Sequence, residues 1–369
     1  MVDKRYELMS LIFRLVGAEE YNHTGDEHQK TIALTFNEFS NHPAVEYAKQ
    51  LRETYGISYN AVFNFAVHIQ QKDEKFVFIE NIDSLEKRWT REAAEAFLPL
   101  LNDFYKDTNY EVFYQSNISF YKTYEERFTQ EVISELNLEW FKKYGLDPIN
   151  LRCIITPSFQ GCNYAAMMSD GVVYALMSVF SKEILIHEYI HGFTLPIAEE
   201  WYENNPEYKR YCDETSVDPR FQYIGNMPWE YITHAYTVLY FAEHGENPIP
   251  MLFSDYSAGF KYIQEVYAMI TNHKKVDFLE WLGIDWKNAP RIGQEHSFTF
   301  SDGTITKWQY LDIPNFPIQG LKSSSCGNVF NSQTGDIFVV TNSNTIYIDL
   351  GSTTFQGRSG FRSYLTIPI

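Results

Sequence analysis

A chain of 369 residues, 44% of them apolar, has ample material for a hydrophobic core and points to more than one domain. The formal charge of −18 argues against nucleic acid and anionic membrane surfaces as partners. No apolar run approaches the roughly 20 residues that a transmembrane helix needs. The aromatic fraction is high at 17%; packing in the core is the first reading, and a carbohydrate or peptide groove is the alternative.

The N-terminus lacks a charged start followed by an apolar stretch, so no signal peptide is expected. That fits a cytoplasmic protein, or an exported one (periplasm or cell surface) whose signal has been removed. Asp3 and the periodicity of residues 5–16 predict an amphipathic helix instead. Pro43 opens a second helix that ends near Gly56. Residues 93–105 form another, and 111–138 carry one long periodic stretch. Residues 1–150 therefore read as a helical subdomain.

Residues 151–289 read as the core of the chemistry. Runs at 152–156, 164–168 and 172–179 are strand-like, the last two joined by a turn at Ser169, Asp170 and Gly171. Ser181 is a plausible N-cap, Glu183 sits where the helix dipole favours negative charge, and Gly192 with Pro196 marks a far end. The expected helix covers residues 182–193.

Inside it stands His187-Glu188-Tyr189-Ile190-His191. Histidines four apart lie on one helix face, so two imidazoles can reach one metal ion, while Glu188 projects beside the metal and can take a proton from water. A random chain of this length and composition would show the pattern roughly once in fifty tries. The flanking Ile184, Leu185, Ile186, Tyr189 and Ile190 predict a buried helix, which has no cheap use for two histidines and a glutamate without partners. The competing reading is two ordinary histidines, one solvated and one hydrogen-bonded in the core.

Two histidines leave a tetrahedral zinc short of a protein ligand. A third histidine at the metzincin spacing would fall on Ile197, and Gly192 directly follows His191, so that pattern is excluded. Glu199 and Glu200 come too soon after Pro196. Glu230, at the head of an apolar helix opened by Pro228 and running to about Phe241, is the expected third ligand; its plainer role is a negative charge at a helix start. His234, one turn on, can be a partner of the ligands, an oxyanion donor or a core histidine, and joins Glu188 as a candidate catalytic residue. Tyr236 and Tyr240 are further candidates for the oxyanion donor.

Further helices are expected at 262–269 and 278–282. From residue 290 to 369 Ser, Thr, Gly and Asn rise, with β-prone runs at 297–300, 304–310, 337–341, 345–350 and 364–367, predicting a β-rich module that binds a partner or packs on the rest. Cys153, Cys162, Cys212 and Cys326 form no Cys-x-x-Cys pair, so they are buried thiols or as many as two disulfides; Cys153 and Cys162 can meet across a short loop.

His187-Glu188-x-x-His191 with a downstream Glu-x-x-x-His-Ala helix at Glu230 resembles a gluzincin-type zinc metallopeptidase. More narrowly, Val2-Asp3-Lys4-Arg5-Tyr6-Glu7-Leu8, Phe141-Lys142-Lys143-Tyr144-Gly145 and Asn163-Tyr164 are similar to an uncharacterised bacterial family of gluzincin-like proteins. The likeness spans about residues 1–245, and only the zinc-helix motif is specific. It implies an α+β fold with a mainly helical, zincin-like catalytic region and a small mixed sheet. It also implies one zinc per chain on His187, His191 and Glu230, with Glu188 as base. Gluzincins often place a charged residue four positions after the glutamate ligand; here that position is His234. By the same analogy, the strand before the zinc helix lies at a sheet edge where an extended peptide can add to it; the alternative is an ordinary hairpin in the core sheet.

Three functions follow from these expectations. The first is a peptidase acting on a peptide or protein. The second is a non-catalytic peptidase-like scaffold that holds a glycan or protein. The third is a metal-dependent hydrolase of a non-peptide bond.

Overall fold

Asp3 accepts a hydrogen bond from the Arg5 amide (2.9 Å) and so caps the first helix, α1 (Lys4–Leu15). The computed structural model describes residues 1–22, 26–79, 82–159, 163–167, 171–204, 206, 228–258, 260 and 263–272, together with strands beyond residue 294. The chain divides into two units, Met1–Asn137 with Ile149–Gly192 and Leu138–Pro148 with Phe193–Ile369.

In the first unit α1 is buried on every side from Tyr6 to Arg14, not only on one face as its periodicity predicts. The reason lies in its polar residues, which find partners inside: Ser10 Oγ donates to the Glu7 carbonyl (2.9 Å), and Arg14 Nη1 donates to the Ser158 carbonyl (2.9 Å). Around α1 come α2 (Glu27–Phe36), α3 (Pro43–Tyr55) and α4 (Asn60–Val67). Proline at the first helical position starts α3, and Gly56 at φ 66° ends it.

A hairpin of β1 (Ile69–Lys72) and β2 (Lys75–Phe78) turns through Asp73 and Glu74, both at positive φ. Then follow α5 (Arg91–Asp107), capped by Thr90, α6 (Tyr110–Ser116) and α7 (Ile118–Glu131). The single long helix expected over residues 111–138 is thus broken at Asn117, whose side chain hydrogen-bonds back to the Phe113 carbonyl (2.9 Å) and competes with helical pairing. Aromatic rings fill this unit's core, with pairs such as Phe65–Trp89 (4.5 Å), Phe36–Phe113 (4.8 Å) and Tyr6–Phe63 (5.4 Å).

One small mixed sheet completes the unit, in the order β3–β5–β4: β3 (Leu151–Ile155) runs parallel to β5 (Val173–Met177), and β4 (Tyr164–Met167) runs antiparallel to it. The strand that leads into the motif helix is β5, and it is the central one. Both its edges are paired and all five residues are buried, so no peptide can add to it, contrary to the analogy with zincins. Gly171 (φ 78°) belongs to the expected turn, while Ser169 and Asp170 lie outside the described residues. Cys153 is a half-buried free thiol whose burial pushes its pKa up to about 11; Cys162, Cys212 and Cys326 lie outside the described residues.

The motif helix α8 (Lys182–Asn204) belongs in part to each unit; the second also holds α9 (Pro228–Glu243), α10 (Pro248–Ala258) and α11 (Ile263–Asn272). The helix expected at 278–282 lies outside the described residues. Beyond residue 294 the described backbone is strand, including the antiparallel pair β6 (Glu295–Thr299) and β7 (Ile305–Gln309). The fold is α+β, mainly helical with small sheets. Among the described residues no helix is long and apolar enough to cross a membrane.

Candidate metal centre

Helix α8 starts where its sequence says it should. Ser181 Oγ accepts from the Ile184 amide (3.2 Å) and the Ser181 carbonyl from the Leu185 amide (3.1 Å). Its end differs from expectation: α8 does not stop at residue 193 but runs through Pro196 to Asn204. Proline has no N–H to give the Gly192 carbonyl, which costs one helical bond, and the bonds on either side carry the helix past it. Glu199 and Glu200 therefore lie on α8 itself.

Leu185, Ile186, Tyr189 and Ile190 are fully buried, and the Tyr189 hydroxyl fixes the rotation of the helix. It accepts from the Ile149 amide (2.9 Å) and donates to the Ile149 carbonyl (3.2 Å). With that face locked into the core, His187 and His191 share the neighbouring face. Their rings stand at 88° to each other, with Nε2 atoms 3.1 Å apart. Two ligands bound to a tetrahedral zinc at ~2.0–2.1 Å sit roughly 3.3 Å apart, so this spacing suits a shared metal. It equally suits one proton shared between two neutral imidazoles. Glu188 is buried (7% exposed) on the adjoining strip of the helix.

Helix α9 begins with Pro228 and carries Glu230 in its first turn. It is apolar nearly all round: Tyr231, Ile232, Ala235, Tyr236, Val238 and Leu239 are buried. Thr233 Oγ1 lies 3.0 Å from Thr194 Oγ1 of α8, a buried hydroxyl pair that ties the two helices within the second unit. At the far end, the Glu243 carboxylate accepts from Trp140 Nε1 (2.7 Å), Lys143 Nζ (2.6 Å) and the Tyr144 hydroxyl (2.6 Å). Burial pushes its pKa up, but these three bonds outweigh that and hold it below the usual carboxylate range.

His191 is buried, and His187 and Glu230 are half-buried, each within its own unit. Two imidazoles and a carboxylate are donor types that suit zinc.

His234 points its Nδ1 at Asp255 Oδ1 (2.9 Å) on α10, and its ring lies against Phe260 (4.1 Å between centroids). Asp255 is a partner that sequence reasoning did not single out; it stands on a later helix, in no motif. The other two oxyanion candidates take part in aromatic packing. Tyr236 is fully buried against Tyr144, and Tyr240 is buried against Trp140 and Phe141, so both belong to the aromatic packing that Glu243 also anchors. No family model, no curated protein and no solved structure matches this chain.

Proposed function

We propose that this protein is a zinc-dependent peptidase of gluzincin type, with one zinc per chain on His187, His191 and Glu230. The observation that carries the reading is the pair of imidazole nitrogens of His187 and His191, 3.1 Å apart on one face of α8, a spacing that a zinc ion can bridge. Zinc bound there would supply Lewis acidity, lowering the pKa of water and polarising a carbonyl.

Everything else is done by side chains of this chain. Glu188 follows the first ligand and lies beside the set; as general base it takes the proton of the attacking water and returns it to the leaving amine. Its burial keeps that exchange away from bulk solvent. With His234 Nδ1 engaged by Asp255, Nε2 is the ring nitrogen that donates to the oxyanion developing on the substrate. A zincin-like catalytic region with a β-rich part over residues 290–369 belongs to the same reading. The substrate is then a peptide or protein, and the β-rich part is where a further partner would bind.

Glu188→Gln tests the base. Cleavage of a mixed peptide library, read by mass spectrometry, should fall about 10²- to 10⁴-fold while zinc content stays at the parent level. Undiminished cleavage by the variant would overturn the mechanism. A parent that binds zinc and cleaves nothing would leave a peptidase-like scaffold that holds a glycan or protein.

A further inference from the structure

Away from the histidines, the first unit encloses a small cavity of about 10 Å³ beneath α1. Its apolar wall includes Phe36, Phe113 and Phe159, and its polar wall is Glu7, Arg14 and Ser158. Glu7 and Arg14 are seven positions apart, two turns along one face of the helix, and only 2% and 6% exposed. Each uses one half of its polar group on Ser158. The Ser158 hydroxyl donates to Glu7 Oε2, and Arg14 Nη1 donates to the Ser158 carbonyl. The Thr156 hydroxyl also acts on the Glu7 carboxylate beside Ser158, yet Glu7 Oε1 and Arg14 Nη2 have no partner at hydrogen-bond distance and angle among the described residues. The two residues that carry this buried acceptor and this buried donor both line one cavity with room for about one water, a site with complementary polarity.

From this geometry we infer an internal hydration site: one water that donates to Glu7 Oε1 and accepts from Arg14 Nη2. A small anion is excluded by the carboxylate and a metal cation by the guanidinium, while water satisfies both at once. The site closes a ring of Glu7, water, Arg14 and Ser158, which fastens the segment after β3 to α1. It is independent of any metal on α8.

A crystal structure of the full chain tests it directly. The expected result is one density peak within about 3 Å of both Glu7 Oε1 and Arg14 Nη2, present in the parent and retained in Glu7→Gln, whose amide oxygen still accepts. A cavity without density, a direct Glu7–Arg14 contact, or another side chain on these atoms would overturn it. In solution, magnetic relaxation dispersion counts long-lived waters in the parent and in Ser10→Val, whose added methyl group fills the cavity. The count should fall by one; an unchanged count contradicts the site.

Discussion

At the scale of single residues, the candidate site rests on His187 and His191, whose Nε2 atoms lie 3.1 Å apart on one face of α8. His187, Glu188 and His191 sit in five consecutive positions, and a helix was enough to bring two nitrogens together. Glu230 could be found because a proline and an apolar face announced its helix. Asp255 could not, since nothing in the sequence ties an aspartate on one helix to a histidine on another. If Asp255 orients His234, Asp255→Asn should lower kcat about 10- to 100-fold with zinc content unchanged; equal kcat would separate the pair from the chemistry. Glu7 was equally hidden, as an ordinary polar position of a helix read as amphipathic. Burial raises its pKa to about 7, against the opposing bonds from Ser158 and Thr156. The folded protein therefore binds this proton more tightly than the unfolded chain does. Stability should fall as pH rises from about 4.5 to about 7 and level off above, by an amount on the order of 3 kcal/mol for this group. Urea unfolding of Glu7→Gln should lose that part of the slope and gain stability at pH 8 relative to its own parent difference at pH 4.5. Parallel pH profiles for parent and variant would contradict the assignment.

At the scale of elements, starts were more legible than ends. Ser181 and Pro43 mark helix starts through side-chain capping and a missing N–H, both local effects that a sequence displays. The far end of α8 was misjudged because Pro196 costs one bond, and the helix absorbs that loss. The break at Asn117 was missed because it rests on a side chain turning back onto its own helix. The β1–β2 hairpin went unread because its turn uses Asp73 and Glu74 at positive φ, without the glycine that usually advertises such a turn. Two substitutions test the boundaries. Ser181→Ala should cost about 1 kcal/mol through the lost cap. Gly56→Ala should also cost about 1 kcal/mol, and for one reason only: φ is 66°, yet an added Cβ meets nothing within 4 Å. Both are read by chemical denaturation, and a neutral Gly56→Ala would remove the left-handed cap from the account.

At the scale of the whole molecule, the high aromatic content pointed to core packing, and in the described part of the chain rings such as Phe36–Phe113 and Phe65–Trp89 do pack in the core. Strand order was not legible. Periodicity marked β4 and β5 as strands, but β5 took the centre through a parallel partner, β3, that local pattern cannot reveal. The charge of −18 has a consequence of its own: like charges repel in the folded state, so raising NaCl from about 10 to about 200 mM should raise Tm, and a falling Tm would show that attractive pairs dominate instead. The central claim is a metal bound by residues of two helices, and zinc stoichiometry by elemental mass spectrometry tests it most directly, on chelator-free protein with Glu230→Gln beside the parent. The account predicts one zinc per parent chain and a sharp loss in the variant. A parent that takes up no zinc even when it is supplied, or a variant that keeps its full complement, would contradict it.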